Sequence, residues 1–114
     1  MHELSIAENI VEIAVAHLQG DARAVVQEIE LEIGTLSGIE IDALTFAMDA
    51  ATKDTPLQQA AVRIITVQGR ARCNACAAEF DVEDFFSPCP SCGGFDNTTL
   101  QGEEMRVKSL LVQD

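Results

Sequence analysis

The chain has 114 residues and carries 19 acidic against 7 basic residues, so its formal net charge is −12. This length allows one modest core with at most a small satellite module, and so anionic a protein is poorly suited to bind phosphate backbones. The uncharged stretches are too short for a membrane-spanning helix, and no basic segment precedes an apolar run at the start of the chain. We therefore expect a cytoplasmic protein with neither a membrane span nor a secretory signal.

The first predicted element is an amphipathic helix over about residues 4–19. Its apolar stripe repeats at helical spacing through Ile6, Ile10 and Ile13. Gly20 is expected to end the helix. His17 continues the stripe, so we interpret it as a residue at the edge of the core with a satisfied ring nitrogen rather than as a metal ligand.

A strand and a second helix follow. In residues 25–33, VVQEIELEI, isoleucine and leucine alternate with glutamate, which predicts a strand with one buried and one solvated face. After a turn, Ser37 stands three residues before Glu40, a spacing typical of a capping box at the start of a helix. Pro56 is expected to end that helix, because the residue before a proline avoids helical dihedral angles.

Two more strands are predicted, at about residues 61–67 and 105–112. They carry three cations that can face the glutamates of the first strand if the strands pair: Arg63, Arg106 and Lys108. The remaining segment between these strands contains every cysteine of the chain, as CNAC and CPSC.

Two CxxC pairs can place four thiolates on one metal ion in the tetrahedral arrangement that zinc favours in structural sites. The predicted zinc ligands are Cys73, Cys76, Cys89 and Cys92. Disulfides are not expected in the cytosol. A single iron ion, as in the electron-transfer proteins called rubredoxins, is held by the same kind of ligand set and is an open alternative.

The predicted fold class is therefore α+β: two helices packed on a small three-stranded sheet, with an inserted zinc-ribbon module. We expect one domain from residues 1–69 plus 101–114 and a zinc-binding domain from residues 70–100. About thirty residues bury too little apolar area to order themselves, which is why a metal is expected there.

The cysteine segment between Arg70 and Leu100 contains five acids and two basic residues. It lacks the basic patch that nucleic-acid binding needs. We interpret Phe80, Phe85 and Phe86 as its miniature core rather than as a platform for stacking bases. A structural or nucleic-acid-binding zinc ribbon is nevertheless the alternative function.

Conventional catalytic motifs are absent from the sequence. It has no GxSxG, no P-loop and no cysteine outside the two pairs that could serve as a nucleophile. We therefore predict that the protein is not an enzyme.

The N-terminus offers a second set of metal ligands. The α-amine of Met1, the amide nitrogen of His2 and its imidazole Nδ1 form consecutive chelate rings, an array that Ni(II) and Cu(II) favour. Glu3 can provide a fourth donor. The alternative is that an initiator methionine precedes a histidine by chance.

Four stretches resemble the HypA/HybF family of nickel metallochaperones, which act in the maturation of nickel-iron hydrogenases. They are MHELSIAENI, ELEIGTLSGIEIDAL, RCNAC followed by CPSCGG, and GEEMRVKSLLV. They occur in order and span nearly the whole chain.

The resemblance implies a nickel-binding domain that carries a zinc domain. It implies that Met1, His2 and Glu3 bind Ni(II) as cargo, and that the four cysteines hold structural Zn(II). In some members an acid after the first strand approaches the nickel, and Glu40 holds about that place here. The implied partners are the maturation GTPase HypB and the hydrogenase large-subunit precursor, which receives the nickel.

Overall fold

A computed structural model describes residues 3–20 and 23–113. In chain order the elements are α1 (Glu3–Ala16), β1 (Val26–Gly34), α2 (Ile41–Ala51), β2 (Ala61–Val67), β3 (Arg70–Cys73), β4 (Glu79–Asp81), β5 (Asn97–Gln101) and β6 (Met105–Val112). The strands form two three-stranded sheets, in the orders β2-β1-β6 and β4-β3-β5. The predicted α+β fold with a three-stranded sheet is confirmed, whereas the second sheet was not predicted. None of the helices described here is long and apolar enough to cross a membrane.

The chain divides into two compact units. Residues 1–31, 39–65 and 106–114 form the first, and residues 32–38 and 66–105 form the second. All four cysteines therefore lie in the second unit, together with the turn that follows β1. The division of the chain into domains at residues 70–100 stays a prediction.

In the first unit, α1 and α2 pack against each other. The buried face of α1 consists of Ile6, Ala7, Ile10, Val11 and Ala14, and that of α2 of Leu44, Ala47 and Met48. The side chains of Ile29 and Leu31 on β1 are fully buried, as their alternation with glutamate predicts. These side chains supply the apolar burial that stabilises this unit.

The predicted apolar stripe of α1 was wrong at its C-terminal end. Ile13 is 42% exposed and His17 is exposed, because Val11 and Ala14, about one and two turns after Ala7, complete the inward face instead. The helix ends at Ala16, so His17 lies in the turn that follows. Its Nδ1 lies 2.8 Å from the carbonyl oxygen of Ile13, which confirms the satisfied ring nitrogen but not the place at the core edge.

The predicted capping box of α2 was also wrong. Gly38 has a φ of 77°, a left-handed conformation that prevents a helix from starting at Ser37. Glu40 is instead the N-cap residue, with extended backbone angles and no side-chain capping hydrogen bond. The helix ends before Pro56, at Ala51, where the C-cap hydroxyl hydrogen-bonds back into the last turn.

Glutamates of the central strand β1 pair with the flanking strands. Arg63 Nη1 on β2 lies 3.3 Å from carboxylate oxygens of both Glu28 and Glu30. The hydroxyl of Ser109 on β6 donates to Glu30 at 2.6 Å. This hydrogen bond, with the charges of Arg63 and Lys108, lowers the pKa of Glu30. The polar face of the sheet is thus partly neutralised from both sides, as expected for paired strands.

The core of the second unit is small. It consists of Leu36, Ala71, Cys73, Phe80, Val82 and Cys89. Only Phe80 of the three predicted core phenylalanines belongs to it, since Phe85 is 56% and Phe86 83% exposed. The prediction was wrong for these two because Leu36, from the turn after β1, and the cysteines themselves fill the space.

Candidate metal centre

The two CxxC segments fold into the same kind of turn. The N–H of Ala77 donates to the carbonyl of Cys73 at 2.8 Å, and that of Gly93 to the carbonyl of Cys89 at 2.7 Å. Ala77 and Gly93 share a left-handed backbone, with φ of 65° and 75°. Each turn therefore reverses the chain directly after its second cysteine, which brings both thiols of a pair to one side.

Backbone N–H groups point at the first sulfur of each pair. Hydrogen bonds from the N–H groups of Cys76 and Ala75 lower the pKa of Cys73. The N–H of Cys92 acts in the same way on Cys89 and, against the opposing effect of burial, lowers its pKa to about 7. These N–H groups stabilise thiolate, the form that binds a metal.

The second thiol of each pair is harder to ionise. A backbone N–H favours the thiolate of Cys76, but the sulfurs of Cys89 and Cys73 outweigh it and raise its pKa to about 12. In the same way, a backbone N–H lowers the pKa of Cys92, while the sulfurs of Cys73 and Cys89 raise it overall. Four thiolates this close need a cation to neutralise their mutual repulsion.

The positions of the four sulfur atoms fit zinc. All lie within 4.8 Å of one another. Cys73 Sγ is 3.5 Å from Cys92 Sγ, and Cys76 Sγ is 3.6 Å from Cys89 Sγ. A tetrahedral site with zinc–sulfur bonds of about 2.3 Å has sulfur–sulfur distances of about 3.8 Å. The set could hold a zinc ion with little movement, and within residues 3–20 and 23–113 it is the only group of this kind.

Asn97 is a residue of this centre that the sequence did not reveal. It pairs with Cys73 across strands β3 and β5. Its Nδ2 donates to the carbonyl oxygens of Ser87 at 3.0 Å and Gly94 at 3.5 Å. These two residues flank the CPSC turn, so one side chain links the first cysteine turn to both ends of the second.

Asn74 fixes the first turn in a similar way. Its backbone N–H donates to the carbonyl of Asp96 at 2.9 Å, and its Nδ2 donates to Asp96 Oδ1 at 3.0 Å. The hydroxyl of Thr98 donates to Asn74 Oδ1 at 3.0 Å. The polar stretch that follows the second pair, DNTT, was the only signal of these contacts in the sequence.

The predicted nickel ligands are only partly described by the structure. Met1 and His2 lie outside the described residues. Glu3 is the first residue of α1 and half-buried, and Glu40 is exposed at the start of α2. The nickel site at these four residues therefore stays a prediction.

Comparison with known proteins gives a consistent result. The family model described as "Hydrogenase/urease nickel incorporation, metallochaperone, hypA" matches residues 1–112. The chain belongs to the HypA family. The hydrogenase maturation factors HypA of Parabacteroides distasonis and Geotalea uraniireducens are 43% and 45% identical to it over 113 residues, covering 99% of this chain and 98% and 100% of theirs. The resemblance seen in the sequence is confirmed.

Solved structures share the fold. The solution structure of the Ni metallochaperone HypA from Helicobacter pylori superposes with a TM-score of 0.68 at 20% identity, covering 97% of each chain. A second solution structure, of a HypA protein, gives a TM-score of 0.69 at 20% identity, covering 99% of this chain and 97% of the other. The architecture is thus that of HypA proteins, a family of metallochaperones and maturation factors.

The thiol pKa values predict how zinc binding depends on pH. Cys76, with a pKa of about 12, and Cys92, whose pKa is also raised, are protonated at neutral pH. Zinc must displace these protons, so we expect binding at pH 7 to release at least two protons per ion. Affinity should then rise with pH by at least about a hundredfold per unit near pH 7, since each displaced proton contributes about tenfold and Cys89, with a pKa of about 7, is itself part-protonated there. Calorimetric titration in buffers of different ionisation enthalpy measures the proton count, and release of fewer than two would contradict this assignment.

Loss of the Asn97 amide should loosen the zinc centre. Removing a residue that supports metal ligands typically costs about 10–100-fold in metal affinity. We expect Asn97→Ala to speed zinc release to a colorimetric chelator by that order, and Asn97→Asp to speed it further, because a carboxylate would face two carbonyl oxygens. Leu100→Ala, on the same strand and 45% exposed, is the control and should release zinc at the native rate. Equal rates of zinc release in all variants would show that Asn97 does not support the zinc centre.

Proposed function

We propose that the protein carries Ni(II) at its N-terminus and delivers it during nickel-iron hydrogenase maturation, while zinc on the cysteines is structural. The observation that carries the proposal is the match to a nickel-incorporation family over residues 1–112. The four-cysteine cluster supports the structural part. The nickel part rests on Met1, His2 and Glu3, which match the family's nickel-binding residues.

The start of α1 at Glu3 suits a terminal chelate. The first N–H groups of a helix have no partner within it, so amide nitrogens at this end are not held by helical hydrogen bonds. Metal binding that removes the His2 amide proton creates an anionic nitrogen, which the positive end of the helix dipole stabilises. Glu40, exposed and not used to cap α2, is a further oxygen donor in the proposal.

The two metals would leave their sites at different rates. A closed cage of thiolates keeps its metal because every ligand is held by folded backbone. A chelate formed by an α-amine and neighbouring groups can give up its ligands one at a time, since it is not a closed cage. This difference suits a cargo metal at one site and a structural metal at the other.

The proposed route of the metal involves two partners in the cytoplasm. Ni(II) is handled together with the GTPase HypB and passed to the large-subunit precursor of the hydrogenase. The first predicted domain, residues 1–69 plus 101–114, would then bind nickel, and residues 70–100 would form the zinc domain. In this role the protein transfers a metal and catalyses no reaction of its own.

A set of N-terminal variants tests the nickel site. We expect His2→Ala to weaken Ni(II) binding by at least about a hundredfold. An extension of several glycine residues ahead of Met1 should do the same by moving the amine away from the imidazole, whereas a single added glycine would build a new chelate with the histidine in third place. The matched control is His17→Ala, because His17 is the other histidine of the chain and is exposed on the turn after α1. Competition titration with a nickel chelator measures the affinities.

Zinc content and the circular dichroism spectrum should be native in all three proteins. Unchanged nickel affinity in the extended protein would contradict the proposed terminal chelate. An equal loss in His17→Ala would show instead that nickel binding is not confined to the N-terminal residues.

A further inference from the structure

Three phenylalanines of the second unit are exposed. Phe85 is 56%, Phe86 83% and Phe95 73% exposed. Isolated apolar side chains are common on protein surfaces, but these three make up most of the five phenylalanines of the chain and flank a single CPSC turn. Exposed apolar groups concentrated in this way mark interaction surfaces.

The segments that carry these side chains are tied together. Asn97 Nδ2 donates to the carbonyl of Ser87, directly after Phe86, and to the carbonyl of Gly94, directly before Phe95. The N–H of Cys89 also donates to the Gly94 carbonyl at 2.8 Å. The backbones at Phe86 and Phe95 therefore meet around one amide group, at the same end of the unit.

The turn before Ser87 is fixed as well. Asp84 Oδ1 accepts hydrogen bonds from the N–H of Phe86 at 2.8 Å and from the hydroxyl of Ser87 at 3.2 Å. A surface that is ordered before binding loses less conformational entropy when a partner docks. The exposed aromatic side chains are thus presented on a scaffold that does not need to fold on binding.

The charged side chains around this surface are all negative. No lysine, arginine or histidine occurs between Cys73 and Met105. Glu83 and Asp84 directly precede Phe85, Asp96 directly follows Phe95, and all three acids are exposed. Such a surface repels phosphates and disfavours a second copy of a chain whose net charge is −12.

We propose that Phe85, Phe86 and Phe95, with Glu83, Asp84 and Asp96, form a docking surface for an arginine- and lysine-bearing segment of a partner protein. A guanidinium group stacks on an aromatic face by a cation–π interaction and pairs with a neighbouring carboxylate at the same time. The apolar parts of the partner cover the rings. This surface lies in the second unit and does not depend on nickel transfer.

A cationic peptide tests the surface on the zinc-loaded protein. The probe is a short fluorescein-labelled peptide of alternating arginine and leucine, followed by fluorescence anisotropy at about 0.15 M salt. We expect the double variant Phe86→Ala/Phe95→Ala to raise its dissociation constant by about tenfold or more. Phe46→Ala removes an aromatic ring of the first unit that is 78% exposed, keeps the same net charge, and should leave the affinity unchanged.

Charge variants separate this surface from a general attraction of cations to an acidic protein. Glu83→Gln should weaken peptide binding more than Glu12→Gln, which makes the same charge change on the exposed side of α1. Native zinc content in each variant shows that the scaffold is intact. Absence of binding to the native protein, or equal losses in the variants of both units, would overturn the proposal, as would self-association or RNA binding abolished by Phe86→Ala/Phe95→Ala.

Discussion

The repulsion that four thiolates at one point would experience is the constraint on which the second compact unit depends. The thiols lie within 4.8 Å of one another, and backbone N–H groups favour ionisation of one member of each pair while neighbouring sulfurs oppose ionisation of the other. A cation of zinc's charge and size resolves this conflict. Two of the six residues in the buried core are themselves cysteines. Apolar burial alone therefore contributes little here, and a metal ion on the four cysteines would add the stability that this core lacks.

The same constraint requires polar residues that hold the cysteine turns in place. Asn74 and Asn97 use their side-chain amides to close loops that no regular ladder of hydrogen bonds would hold. Both side chains hold the backbone that carries the sulfur atoms. Asn97 also holds the backbone next to Phe86 and Phe95. A rigid metal site and a rigid presentation of aromatic side chains therefore have one structural cause.

Several elements were predictable because their signals are local. The alternation of glutamate with isoleucine and leucine indicated β1, and the bounds expected for β2 and β6 agree with the structure. The spacing of the cysteines predicted their cluster, since two residues between ligands leave little choice of turn. Resemblance over the whole chain supplied the family.

The mispredicted features depend either on a local backbone angle or on contacts between residues distant in the sequence. The left-handed backbone angle at Gly38 decides where α2 starts. The spacing of Ser37 and Glu40 in the sequence does not reveal this angle. Strands β3, β4 and β5 are short and pair around the cysteines rather than through an alternating apolar pattern. Leu36, which lies far from the cysteines in the sequence, in the turn after β1, occupies part of the small core. Phe85 and Phe86 are therefore left at the surface. Asn97 gains its role only through its register opposite Cys73.

Nickel and zinc are proposed to occupy chemically different sites at separate parts of the sequence. X-ray absorption at both metal edges, on zinc-loaded protein with an unextended N-terminus and one equivalent of Ni(II), tests it most directly. We expect only nitrogen and oxygen neighbours around nickel and four sulfurs at about 2.3 Å around zinc. Sulfur in the nickel shell, or loss of zinc as nickel binds, would contradict it.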